Sequence, residues 1–216
     1  MPEGRAALLL GATGLIGSFL LERLLASPAY IAVHVWVRAP VGKEHSKMKA
    51  QTIDFDRLQE RRVEADDVFC CLGTTIGKAG SQEAFRRVDF DYPVALASAA
   101  ARDCAKRLLV VSALGANADS RVFYNRVKGD MESVVRSAGV PTTCFFRPSL
   151  LSGPRAEARR GEVIGLAIGK VFGPLLGRYR PIHADLVAAA MLKAALQDLP
   201  SRTFESGDIR ALAQSS

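Results

Sequence analysis

Gly11-Ala12-Thr13-Gly14-Leu15-Ile16-Gly17 is the stretch from which the rest of the chain can be read. The apolar run Ala6 to Leu10 leads into it, and Ser18 to Leu25 follows with its apolar residues on one side of a helical period. The glycines therefore lie between a buried strand and a helix, where a dinucleotide-binding turn belongs. Gly11 lets the chain leave the strand sharply, Gly14 lets backbone approach a pyrophosphate, and Gly17 lets the helix pack closely on the strand. The helix N-terminus adds free N–H groups and the positive end of a dipole.

Working outward, strand-like and helix-like segments alternate, which predicts an α/β fold of the Rossmann type: a doubly wound parallel sheet with helices on both faces. The second strand is Ala32 to Val37, with His34 as a packed strand residue and Arg38 at its end. An acidic residue at this place would hold a ribose 2′-hydroxyl, whereas Arg suits a 2′-phosphate. Neither Asp nor Glu occurs from Ile31 to Lys43, so NADP(H) is favoured over NAD(H). Residues 40–50 read as a Lys-containing loop, 52–55 as a short third strand, and 57–63 as a short helix. Residues 67–72 form a buried fourth strand that ends in Gly73-Thr74-Thr75, and 82–102 a long helical stretch restarted at Pro93. Its Val94 to Ala101 segment is apolar nearly all round, which suits burial against the sheet or against a second subunit. Residues 107–112 are the fifth strand, a helix opens at Tyr124 and runs to about Ser137, and 143–146 are the sixth strand. Residues 155–181 read as an irregular lid over the site, 185–196 as an Ala-rich closing helix, and the chain from about Gly207 as loose. The 216 residues suffice for one nucleotide-binding domain and are short for two.

The reacting groups are expected at Ser112, Tyr124 and Lys128. Tyr and Lys at i and i+4 share a helix face, and Ser112 ends a strand that the fold sets opposite. This trio suits proton transfer at an alcohol or carbonyl oxygen during hydride transfer. A tyrosine needs its pKa lowered by about three units, or about 4 kcal/mol, to work near neutrality. An ammonium at about 4 Å supplies about 4 kcal/mol at an effective dielectric near 20. Ser112 would hydrogen-bond the substrate oxygen.

Composition closes off other classes. A net charge of +7 favours anionic ligands, but no basic tail or aromatic-rich RNA motif marks a specific nucleic-acid partner. No apolar run reaches the roughly 20 residues of a membrane helix, so no transmembrane segment is expected. The absence of a secretory pattern makes the cytoplasm the expected location. The four cysteines, Cys70, Cys71, Cys104 and Cys144, form no CxxC pair and read as reduced core residues, with no metal site.

The stretches GATGLIG, VWVR, DF at 54–55, CCLGTTIGKAG, VDFDY, VVSALGA, YNRVKG and FRPSLLSG together resemble an atypical short-chain dehydrogenase/reductase of the Tat-interacting-protein-like branch. That resemblance implies cofactor contacts from Gly11, Thr13, Gly14, Leu15 and Ile16 to the phosphates, from Arg38 to the 2′-phosphate, and from Asp54 and Phe55 beside the adenine. It implies Leu72, Gly73 and Thr74 along the ribose and adenine side, Pro148 to Leu151 flanking the nicotinamide, Arg159 reaching in from the lid, and Lys128 with Tyr124 at the nicotinamide ribose. It also implies an Asn on the fourth helix as part of a proton relay, where VDFDY instead offers Asp89. A homodimer through the fourth and fifth helices is a further implication. The leading expectation is an NADP-dependent oxidoreductase acting on a small carbonyl or alcohol. The alternatives are an NADP(H)-binding regulator without turnover, a sugar-nucleotide epimerase or dehydratase, and a protein associated with a membrane surface or a quinone through 163–176.

Overall fold

In the computed structural model, residues 4–153 and 180–215 are described. Strand β1 (Arg5–Leu10) enters the glycine turn and α1 (Leu15–Ala26) leaves it. Then follow β2 (Tyr30–Val37), β3 (Met48–Thr52), a 3₁₀ turn (Phe55–Glu60) and β4 (Asp67–Cys70). Next come the short helices α2 (Ile76–Ala79) and α3 (Gln82–Arg86), a π turn (Arg87–Asp91) and α4 (Tyr92–Arg102). The chain continues through β5 (Arg107–Val111), α5 (Phe123–Arg136), β6 (Thr142–Arg147) and β7 (Leu151–Ser152). It ends with β8 (Ile182–His183), α6 (Ala184–Leu196), β9 (Arg202–Glu205) and α7 (Ser206–Gln214).

Seven strands make one sheet in the order β3-β2-β1-β4-β5-β6-β9, every neighbouring pair parallel. The order reverses between β1 and β4, and in open parallel sheets ligands bind at the carboxyl ends of strands flanking such a switch. Successive side chains of a strand face opposite ways, so β1 feeds two cores. Ala7 and Leu9 join Leu20, Leu24, Met191 and Ile209 under α1, α6 and α7. Leu8 and Leu10 join Leu96, Val110, Met131 and Phe145 under α4 and α5.

Several expected elements lie elsewhere. The third strand is at 48–52 rather than 52–55, and so takes in the end of the expected loop. It is a sheet edge whose side chains lie mostly in solvent, so no apolar alternation marks it. The expected helix at 57–63 is instead the 3₁₀ turn, which begins two residues earlier because the Asp54 side chain accepts from the Asp56 N–H. The stretch 82–102 is three end-to-end pieces joined through the π turn, with Pro93 in the first turn of α4. Leu96, Ala97, Ala99 and Ala100 pack against the sheet, so core burial accounts for the small-residue segment. The C-terminus is ordered, contrary to expectation. β9 closes the sheet on β6, and Glu205 and Asp208 cap α7 reciprocally while Ile209 is buried. The expected lid at 155–181 and the stretch 163–176 fall almost wholly outside the described residues.

Candidate cofactor and proton-transfer site

The site sits at the carboxyl ends of β1, β4, β5 and β6. At Gly11, φ is +85°, and a Cβ there would come 2.5 Å from the Cys71 carbonyl oxygen. A Cβ on Gly17 would come 2.0 Å from the Gly11 carbonyl oxygen, so only glycine lets α1 lie this close to the turn. Gly14 caps α1 with no side-chain hydrogen bond, and no acidic residue stands in the first turn. Thr13 and Gly14 are exposed beside it. An uncapped, acid-free helix start at a sheet switch point fits a pyrophosphate. The Ile16 side chain belongs to the core, so this residue offers the site backbone alone.

At the far end of the turn, Arg38 follows β2 and is exposed. Phe55 is buried edge-on to Tyr92, ring centres 5.5 Å apart, and the Tyr92 hydroxyl donates to Asp56 Oδ1 at 2.9 Å. Burial and then Asp56 push the Tyr92 hydroxyl up, while the positive charges of Arg87 and Arg38 pull it down. Arg38 and Arg87 thus both act on the region around Tyr92. Leu72 and Gly73 follow β4, and the Thr74 N–H donates to Asp89 Oδ2 at 2.9 Å. Pro148 is buried beyond β6 and its carbonyl accepts from the Leu114 N–H at 3.1 Å. Leu151 begins β7, half-buried. Arg159 lies outside the described residues.

Tyr124 packs its ring 5.3 Å from Phe85. One turn along α5, Lys128 is only 3% exposed, and its Nζ lies 2.7 Å from Asp89 Oδ1, on the fully buried carboxyl of the π turn. Burial drags the Lys128 ammonium down, but Asp89 and Tyr124 outweigh it and the net shift is upward. Asp89 also changes the field that Tyr124 feels. Its carboxylate opposes in sign the field that the Lys128 ammonium offers a phenolate, because a like charge disfavours the ionised form.

Ser112 meets the same helix at Glu132. Its Oγ donates to Glu132 Oε1 at 2.5 Å, and Glu132 accepts two further bonds from Arg147, at 2.9 and 2.7 Å. Glu132 stands eight residues past Tyr124, which at about 1.5 Å per residue is about 12 Å along the helix. The structure thus pairs Lys128 with Asp89, one turn from Tyr124, and links Ser112 to Glu132 and Arg147. Glu132 and Arg147 were not foreseen as members of the site. The i, i+4, i+8 series Tyr124, Lys128, Glu132 was the available signal, since it marks one helix face. Among the described residues no group of His, Cys, Asp or Glu could hold a metal ion; all four cysteines are free, but only Cys70 and Cys144 lie in the core, and Cys104, in the turn after α4, is exposed.

A profile described as NAD(P)H-binding matches residues 11–198. Protein FMP52, mitochondrial, from Eremothecium gossypii is 32% identical over 221 residues, covering 96% of this chain and 97% of the relative. Protein HTATIP2 from Rattus norvegicus is 32% identical over 205 residues, covering 92% and 83%. Among solved structures, MoeE5 in complex with UDP-glucose and NAD superimposes with a TM-score of 0.70 at 16% identity, covering 97% of this chain and 81% of that one. At this identity the likeness shows the fold alone, a Rossmann-like sheet shared with NAD-binding structures. The cytoplasmic location expected from sequence is overturned, because relatives from several fungi carry mitochondrial in their names. The sequence signals of secretion do not separate cytosol from mitochondrion.

Proposed function

From the premise that the chain belongs to the NAD(P)H-binding family, as an atypical short-chain dehydrogenase/reductase-like protein, we propose that it is an NADP-dependent oxidoreductase acting on a small carbonyl or alcohol. The observation that carries this reading is a buried ammonium, Lys128, one helical turn from Tyr124. Both stand at the same sheet edge as an uncapped glycine turn. A bound nicotinamide would supply or accept the hydride. The Tyr124 hydroxyl would give a proton to the substrate oxygen or take one from it, and Lys128 would steady the charge that develops there. Arg38 would select the 2′-phosphate. Ser112 donates its hydroxyl to Glu132 and so also pins α5. On this reading the chain works as one nucleotide-binding domain, in the mitochondrion as the fungal relatives' names indicate.

A second reading, an NADP(H)-binding regulator without turnover, is favoured by two contacts: the Ser112 hydroxyl given to Glu132, and Asp89 offsetting Lys128. Calorimetric titration with NADPH and NADH separates the cases. The expected result is tighter binding of NADPH, lost by at least about tenfold in Arg38→Ala while NADH binding is unchanged. NADPH consumption against a carbonyl panel, abolished in Tyr124→Phe with binding intact, establishes the enzyme. Binding without consumption establishes the regulator. Binding of neither nucleotide refutes both.

A further inference from the structure

We propose that Asp89 is the positioning residue of this site: it keeps Lys128 protonated in its buried place beside Tyr124 and ties that ammonium to the loop after β4. The inference takes Tyr124 and Lys128 as the reacting pair, but the geometry behind it stands independently of turnover.

An isolated ammonium taken out of water sheds its proton unless an opposite charge accompanies it. The groups acting on the Lys128 amine are Asp89 from the π turn, Tyr124 from its own helix and Cys70 from β4. Of these, Asp89 carries the opposite formal charge, and it lies 2.7 Å away. Glu132, one turn further along α5, gives its oxygens to Ser112 and Arg147. The placement of Asp89 is itself unusual. It is the buried residue of a π turn, a one-residue widening that interrupts helices mostly where function requires it. Its second oxygen takes the Thr74 N–H, so one carboxylate joins α5 to the segment after β4.

The test reads the amine directly, by NMR of ¹³Cε-labelled lysine, with Lys128 assigned by its loss in Lys128→Met. In the wild-type protein the Lys128 signal should keep its protonated shift past about pH 10.4, where surface lysines titrate. In Asp89→Asn it should lose its proton at a pH lower by about two units or more. An unchanged Lys128 titration in Asp89→Asn would overturn the proposal and leave Asp89 as a loop clamp. A second measurement covers an Asp89→Asn variant that does not fold. Lys128→Met leaves a buried unpaired carboxylate, so Asp89→Asn/Lys128→Met should melt several degrees above Lys128→Met alone. A double variant that melts at or below the single one overturns the pairing. Neither readout depends on NADPH, so failure of the oxidoreductase reading would show separately, as absent nucleotide binding or turnover.

Discussion

Gly17 and Glu132 show how single atoms set the site. A methyl group on Gly17 has no space, because its carbon would lie 2.0 Å from the Gly11 carbonyl oxygen, and backbone cannot step aside as a side chain can. Gly17→Ala should push α1 off the turn, costing about 1–3 kcal/mol of stability and weakening nucleotide binding. Urea melts and calorimetry check the two effects, and wild-type binding in this variant would show that α1 does not carry the phosphates. Glu132 is a buried carboxylate saturated by Ser112 and Arg147. Glu132→Gln keeps the shape but removes the charge that meets the Arg147 guanidinium, and a charge-assisted bond is worth about 1.5–3 kcal/mol. A loss in that range by chemical denaturation is expected, with nucleotide affinity unchanged, since this group stands about two turns from Tyr124.

At the scale of elements, α7 separates two pictures of the C-terminus. If the chain from Gly207 were loose, changes there would be neutral. In the structure Ile209 is fully buried and Asp208 closes the capping box with Glu205. Ile209→Ala should therefore cost about 2–5 kcal/mol and Asp208→Ala about 0.5–2 kcal/mol, both read by thermal melting with circular dichroism. The α4 segment illustrates the opposite case. Its small residues are used up against the sheet, so a homodimer through α4 and α5 would need their outward residues, such as Ser98 and the 43%-exposed Val134. Light scattering of Val134→Glu beside the wild type tests it: a shift from dimer to monomer mass is the expected result if that face is used.

Over the whole molecule, acid stability reflects where carboxylates are held. The side-chain bond from Arg102 and the Val63 N–H hold Asp103 down at about 2. The Asp66 carboxyl is resisted by burial, yet the Ala6 N–H and Lys106 bring it below its ordinary value. A carboxyl depressed on folding contributes stability that is complete above its ordinary value and lost as pH falls through the folded one. Stability should therefore drop from about pH 4 towards pH 2, less steeply in Asp103→Asn, as measured by urea melts across that window. Asp67 opposes this: burial raises its carboxyl despite Tyr30 and Arg107, so acid relieves strain there.

How much the sequence alone decided follows from which forces are local. The glycine turn, the buried strands β1, β2, β4, β5 and β6, and helices α1 and α5 were readable because burial imposes a period on apolar residues and a tight turn demands glycine. The Tyr124–Lys128 face was readable because helical spacing is fixed. β3 escaped because an exposed edge strand has no apolar face to display, and α7 because its order comes from β9, Ser149 and the core beneath Ile209. Partner choice was likewise beyond sequence. Ser112 at a strand end can turn to Tyr124 or to Glu132, and Asp89 can face solvent or Lys128. The packing of α5 on the sheet and the widening of one helical turn decided both, since a buried charge goes to whatever opposite charge the fold brings within about 3 Å.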